Sequence, residues 1–281
     1  MDLSSITALE CLLPSLVLLL YATGTATIVV GMLARNEKLK KISGWLTIAG
    51  FVIHTVVLVM GHAAITWDNL PRSYVFQLMS WAMVLIYFGI WWKYKLAFLS
   101  ALVSPFALII YLSSFSQGNT QSQIPESLSG LFFGLHVGTL SISFALMLVA
   151  CGAGLIFLYL EKKIKNKEPL TGFRKDLPAL STCDKLNRLS VMWGFPLFTL
   201  GIISGFVWAH PAWGKMISWD PKEIVSLVVW LMYAVLFHHR IVLGWQGRKA
   251  ATMAIWIFAI SVFSLLIVNT FMPTHHSFTQ Q

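Results

Sequence analysis

Eight histidines and one tryptophan-rich stretch are the residues in this sequence best suited to chemistry. The stretch Trp213-Gly-Lys-Met-Ile-Ser-Trp219-Asp-Pro-Lys-Glu223 puts two tryptophans, two lysines and two acids between hydrophobic runs. Trp208 lies just upstream, so three indoles fall within twelve residues. Any one of them fits an aromatic belt at a membrane edge. Three together, beside Gly214 and a charged edge, make an apolar platform a competing reading. The second half of the stretch has a local explanation. Asp220 at N-cap, Pro221 at the first helical position and Glu223 at N3 form a capping box that starts a helix. Histidines from separate parts of the chain converge on this loop: His136, His210, and the pair His275 and His276. Two imidazoles on opposite sides of an aromatic floor suit the two axial positions of haem iron. A lone interfacial histidine is otherwise a polar tip among wet headgroups.

Other histidines lie inside apolar runs. His54 is near the middle of one, and His238 is in another, followed by His239 and Arg240. Ionisable groups at membrane depth are costly and point to function. The plainer alternatives are a helix–helix hydrogen bond for His54 and a snorkelling neighbour for His239. No Asp or Glu lies at the centre of an apolar run, which argues against an ion-coupled transporter. The three cysteines, Cys11, Cys151 and Cys183, form no C-x-x-C pair. They suggest neither a disulfide framework nor a zinc site, and Cys183 is expected in a cytoplasmic loop. No P-loop, G-x-S-x-G or H-E-x-x-H is present. The spacing Gly130-x-x-x-Gly134-x-x-x-Gly138 reads as helix packing.

These residues must be positioned by membrane helices. Of 281 residues, 57% are hydrophobic and 11% charged, against about 25% charged in a soluble domain. The expected fold is therefore all-α and polytopic, a single membrane domain over 1–281. Apolar runs of about 20 residues predict eight spans: 11–33, 44–65, 74–92, 96–115, 128–160, 191–210, 224–243 and 251–272. The first run lacks the basic start and cleavage site of a signal peptide. Of the 20 Lys and Arg, all but Arg72, Lys215 and Lys222 fall in the loops after spans 1, 3, 5 and 7. That bias puts those loops in the cytoplasm and both termini outside. It also leaves a basic cytoplasmic loop at 161–190 and an external tryptophan loop at 211–223. Span 5 extends beyond the roughly 30 Å hydrocarbon, which lifts His136 to the outer side. The net charge of +9 thus reflects orientation and the lipid surface, not nucleic acid.

Trp208-Ala-His-Pro-Ala-Trp213-Gly-Lys-Met-Ile-Ser-Trp219-Asp-Pro-Lys-Glu223 resembles the tryptophan-rich "WWD" signature, WGxxWxWDPKE, of haem-handling membrane proteins. With the eight spans and Phe237-His238-His239-Arg240, the chain most resembles the CcsA (ResC) family of cytochrome c biogenesis over roughly residues 70–281. The resemblance implies a multi-pass protein of the inner (cytoplasmic) membrane with its haem loop facing the periplasm. It implies haem b as ligand and substrate, a ResB/CcsB-type membrane partner, and delivery to the CxxCH motif of apocytochrome c. It implies a haem-binding loop of Trp208, Trp213, Gly214, Trp219 and Asp220. By the same resemblance His136 and His276 are the external axial ligands and His238 an intramembrane one. His54, His210 and His275 have weaker claims, and His54 has no family counterpart. The chain departs from the pattern at Ile217, where a third tryptophan is expected, and at His210-Pro211, where the family often has Asn-Glu. Three alternatives stand beside this one: haem delivery in a multi-subunit pathway, a HemX-like membrane regulator of tetrapyrrole synthesis, and an unrelated small-molecule transporter.

Overall fold

Long apolar runs with no water to bond must close their own backbone hydrogen bonds, and each of the eight runs is helical. A computed structural model describes residues 3–64, 71–94, 98–116, 129–169, 177–213, 217 and 219–268. Its helices are α1 (Leu3–Leu33), α2 (Glu37–Ala64), α3 (Arg72–Tyr94), α4 (Phe98–Ser116), α5 (Ser129–Lys165), α6 (Leu180–Trp213), α7 (Pro221–Ile241) and α8 (Arg248–Phe263). A short π-helical turn, Ser264–Val268, continues α8. All eight α-helices are long and apolar enough to cross a membrane.

The chain divides into two compact units. The first contains α1 to α4. Its apolar faces are joined by single polar contacts of the kind that bind helices in lipid. Ser43 Oγ donates to the Gly24 carbonyl at 2.8 Å, Ser80 Oγ to the Ala107 carbonyl at 2.8 Å, and Trp81 Nε1 to Thr55 Oγ1 at 2.9 Å. Tyr111 Oη donates to the Pro14 carbonyl at 3.1 Å and so links α4 to α1.

The second unit contains α5 to α8, with α5 as its spine against α6 and α8. At 37 residues, α5 is about 55 Å long, well beyond the hydrocarbon thickness. Leu148, Ala153 and Val149 along it are essentially solvent-free. Ser143 Oγ donates to the Gly194 carbonyl at 2.9 Å, and Asn187 Nδ2 to the Ala150 carbonyl at 2.9 Å. Both bonds tie α5 to α6.

Helix limits differ from the expected spans at their polar ends. Only residues 166–179 join α5 to α6, because the helices take both ends of the expected 161–190 loop. Cys183 accordingly lies on α6 and is fully buried, not in a loop. Hydropathy misses this first stretch of α6 because it carries Asp184, Lys185, Asn187 and Arg188. At its other end α6 continues through Pro211 to Trp213, shortening the expected 211–223 loop to residues 214–220.

Within the expected glycine stripe Gly138 makes no close approach, while glycines outside the stripe do. A methyl at Gly138 would meet nothing within 4 Å, so its face of α5 is open. At Gly154 it would lie 2.9 Å from the Ala251 carbonyl oxygen, where backbone meets backbone. Gly154→Ala is therefore expected to destabilise the protein by about 1–3 kcal/mol. Gly138→Ala should leave stability unchanged or raise it slightly. Unfolding temperatures of the purified protein in detergent check the pair, and equal effects at the two positions would refute this packing.

Candidate functional site

The start of α7 is built as its residues require. Asp220 is the N-cap, with φ −70° and ψ 159°, and its Oδ1 accepts the Glu223 backbone N–H at 2.8 Å. Pro221 follows at the first helical position, where a missing N–H costs nothing. Glu223 sits at N3, near the positive end of the helix dipole. Its Oε2 accepts the backbone N–H of Trp219 at 2.8 Å. In the usual box the N3 acid reaches back to the N-cap residue itself. Here it reaches one residue further, to the tryptophan.

Trp219 has φ +59° and leaves 68% of its surface exposed. A left-handed backbone costs a residue with a Cβ roughly 1–2 kcal/mol. A hydrogen bond from a backbone N–H to a carboxylate contributes about 1.5–3 kcal/mol, enough to hold that conformation. Ile217, where the signature expects a tryptophan, is also exposed, at 43%. The backbones of Trp208, His210 and Trp213 belong to the last turns of α6; their side chains lie outside the described residues. Gly214, His275 and His276 lie outside them altogether.

His136 is half-buried on α5 and faces α6. Its Nδ1 is 2.6 Å from the Gly201 carbonyl oxygen. A carbonyl can only accept, so Nδ1 carries a proton in this contact. Donation from one ring nitrogen to a backbone carbonyl is how proteins orient metal-binding histidines. The ring lies over Gly205, where a methyl would fall 2.6 Å from Nδ1 and Cε1. Only a glycine leaves room for it. From Gly205, three residues lead along α6 to Trp208 and eight to Trp213, rises of about 4.5 Å and 12 Å. The structure thus brings His136 against the helix that ends in two of the predicted tryptophans.

His238 lies 17 residues beyond Pro221 on α7, about 26 Å along the helix from the cap. It is exposed on the surface of α7, its ring edge-on to His239 with centroids 5.9 Å apart. His239 is engaged: Nδ1 donates to the Val235 carbonyl at 2.7 Å, and the ring lies 4.1 Å from that of Trp245. The next residue, Arg240, turns inward and is fully buried. Its NH1 donates to both Asp184 carboxylate oxygens at 3.0 and 3.1 Å and to the Trp245 carbonyl at 3.0 Å. Its NH2 donates to Asn187 Oδ1. Asp184 also accepts the N–H of Gly247, the N-cap of α8, at 2.8 Å.

His54 belongs to the first unit and is completely buried. Tyr21 Oη lies 3.1 Å from its Nδ1, an interhelical hydrogen bond between α1 and α2. The Tyr111 ring packs edge-on with centroids 4.8 Å apart, and Nε2 has no hydrogen-bond partner. Among the described residues no three His, Cys, Asp or Glu group to hold a metal ion. Sequence reasoning missed Asp184, Asn187, Gly201, Gly205 and the reach of Glu223. The i, i+3 spacing of Asp184 and Asn187, read with an Arg at a membrane helix end, is a pattern that could have exposed the first pair.

The family described as cytochrome C assembly protein matches residues 67–276, a range that contains all four helices of the second unit. Similar curated proteins carry the name cytochrome c biogenesis protein CcsA. The one from Guillardia theta is 29% identical over 245 residues, covering 80% of this chain and 81% of that protein. The one from Chlamydomonas reinhardtii is 31% identical over 218 residues, covering 75% of this chain and 60% of that protein. The one from Prochlorococcus marinus is 29% identical over 235 residues, covering 75% and 74%.

Removing one partner of a buried ion pair strands the other. Asp184→Ala should cost about 3–5 kcal/mol, and Asp184→Asn less, since an acceptor for Arg240 survives. Thermal unfolding of the two variants in detergent checks the order; an unchanged midpoint for Asp184→Ala would show that Arg240 does not depend on the carboxylate.

Proposed function

The chain belongs to the cytochrome c assembly protein family, and from that premise we propose that it exports haem b and presents it for covalent attachment to apocytochrome c. Cytochrome c biogenesis itself follows from the kinship with CcsA proteins. The observation that carries the finer reading is the bond from His136 Nδ1–H to the Gly201 carbonyl. It holds the imidazole ring in place through Nδ1, as backbone carbonyls do for metal-binding histidines, on the helix pair that leads to Trp208 and Trp213.

The path has two stations. The chain takes haem in its cytoplasmic half, where His238 stands exposed at the inner end of α7. A ligand on the outer surface of a helix leaves the opposite axial position to another chain, which favours a ResB/CcsB-type partner. The outer station is the tryptophan loop on the periplasmic side, an orientation supported by the positive-inside bias. There Trp208, Trp213 and Trp219 offer flat apolar contact, while His136 and His276 take the two axial positions. Bis-histidine ligation tunes the iron potential. The protein supplies position and excludes water; no general acid or base of this chain is required. Each cysteine thiol of the CxxCH motif then adds across a haem vinyl group. Sulfur bonds to one vinyl carbon, the thiol hydrogen goes to the other, and no electrons are gained or lost.

The experiment is to purify the chain with its partner, record haem spectra, and follow cytochrome c maturation in cells. His136→Ala and His276→Ala should each reduce haem content and maturation about tenfold or more, the range for losing a metal-site contact. Normal haem content and maturation in both variants would refute the ligand assignment. Deletion of the gene should abolish covalent cytochromes; a change only in tetrapyrrole precursors would identify a regulator instead.

A further inference from the structure

We propose that Glu223 is the positioning residue of the aromatic loop: its carboxylate grips the Trp219 backbone N–H and holds that indole in its outward, presenting conformation. The inference rests on the platform reading above and adds the element that shapes the platform. Two acids stand in the signature, and they divide the work. Asp220 Oδ1 accepts the Glu223 N–H, and the Asp220 carbonyl accepts the Ile224 N–H at 3.1 Å. Asp220 therefore starts the helix. Glu223 reaches back past the N-cap to Trp219 N–H at 2.8 Å, which an ordinary capping box does not do.

The residue it reaches is the one with an unfavourable backbone. Trp219 sits at φ +59°, a conformation glycine would adopt without strain. A large side chain kept there gains nothing from burial, since 68% of it is exposed. An exposed indole on a strained backbone, clamped by a carboxylate from the adjoining helix, is built to meet something flat and apolar. The rigid start of α7 supplies the reference frame, so the indole is presented by a helix end and not by a free loop. Glu223 touches the backbone alone in this contact; it acts on haem only through Trp219.

The test uses the full chain with its partner in detergent, in five forms: native, Glu223→Ala, Glu223→Gln, Trp219→Ala and the double variant Glu223→Ala with Trp219→Ala. Hydrogen exchange is read at the Trp219 amide and haem retention from the Soret band. Glu223→Ala should speed exchange at Trp219 about tenfold or more, while amides of the α7 interior between Val229 and Leu236 stay as protected as in the native protein. Glu223→Gln, which keeps an acceptor oxygen, should recover most of that protection. Haem retention should fall alike in Glu223→Ala and Trp219→Ala, and the double variant should be no worse than either, as coupled residues require. Unchanged exchange at Trp219 in Glu223→Ala overturns the proposal, whatever the haem content. Faster exchange with full haem retention in Glu223→Ala, when Trp219→Ala loses haem, overturns it too. If Trp219→Ala itself keeps its haem, the platform reading fails, while faster exchange in Glu223→Ala still upholds the grip of Glu223 on the loop.

Discussion

A guanidinium with almost no solvent contact sits at the end of a membrane helix, and the second half of the molecule is organised around satisfying it. An unpaired arginine there would be prohibitively costly. Arg240 of α7 instead meets Asp184 and Asn187 from α6 and the Trp245 carbonyl from the α7–α8 turn. Asn187 passes the connection on to the Ala150 carbonyl of α5, and Asp184 passes it to the start of α8. One charge therefore fixes the relative placement of all four helices at this end. Such a pair contributes little net stability but strongly disfavours other arrangements of the same helices.

The two candidate stations take their geometry from this frame. At the C-terminal end of α7, Arg240 turns toward the other helices and its neighbours are displaced around the helix, which leaves His238 outward and His239 against Trp245. At the other end, α5 and α6 approach closely enough for the His136 ring to lie over Gly205 and bond the Gly201 carbonyl. Both outcomes follow from helices held at fixed register: a rotation of α6 by one residue, about 100°, would break the Asp184 contact and carry Gly201 and Gly205 away from His136. The first unit uses weaker polar contacts, Tyr21 with His54 and Ser80 with Ala107. His54 there lies before residue 67, where the family match begins, and its surroundings are those of a buried core histidine.

Much was legible before any coordinates. Eight apolar runs became eight helices because lipid allows a lone span no other backbone solution. The capping box was legible because Asp, Pro and Glu at those spacings satisfy helix-end groups through contacts between near neighbours in the chain. The limits of α5 and α6 were not, since hydropathy scores a buried, paired Asp184 or Asn187 as if it were solvated. Of the glycine stripe, Gly138 faces open space: small residues at i, i+4 mark a possible contact face, but several faces compete, and close approaches form at Gly154, Gly194, Gly201 and Gly205.

The sequence by itself determined the class of protein, the number of helices, the charge asymmetry of its loops, and the family to which the tryptophan loop belongs. Those properties are set by local composition and spacing, which do not depend on what a segment touches. Only the tertiary structure decided which nitrogen of His136 meets the Gly201 carbonyl, which carboxylate pairs with Arg240, and that Glu223 reaches the Trp219 N–H. Each is a contact whose direction follows from helix rotation or backbone conformation, and a difference of one residue in either would reverse it.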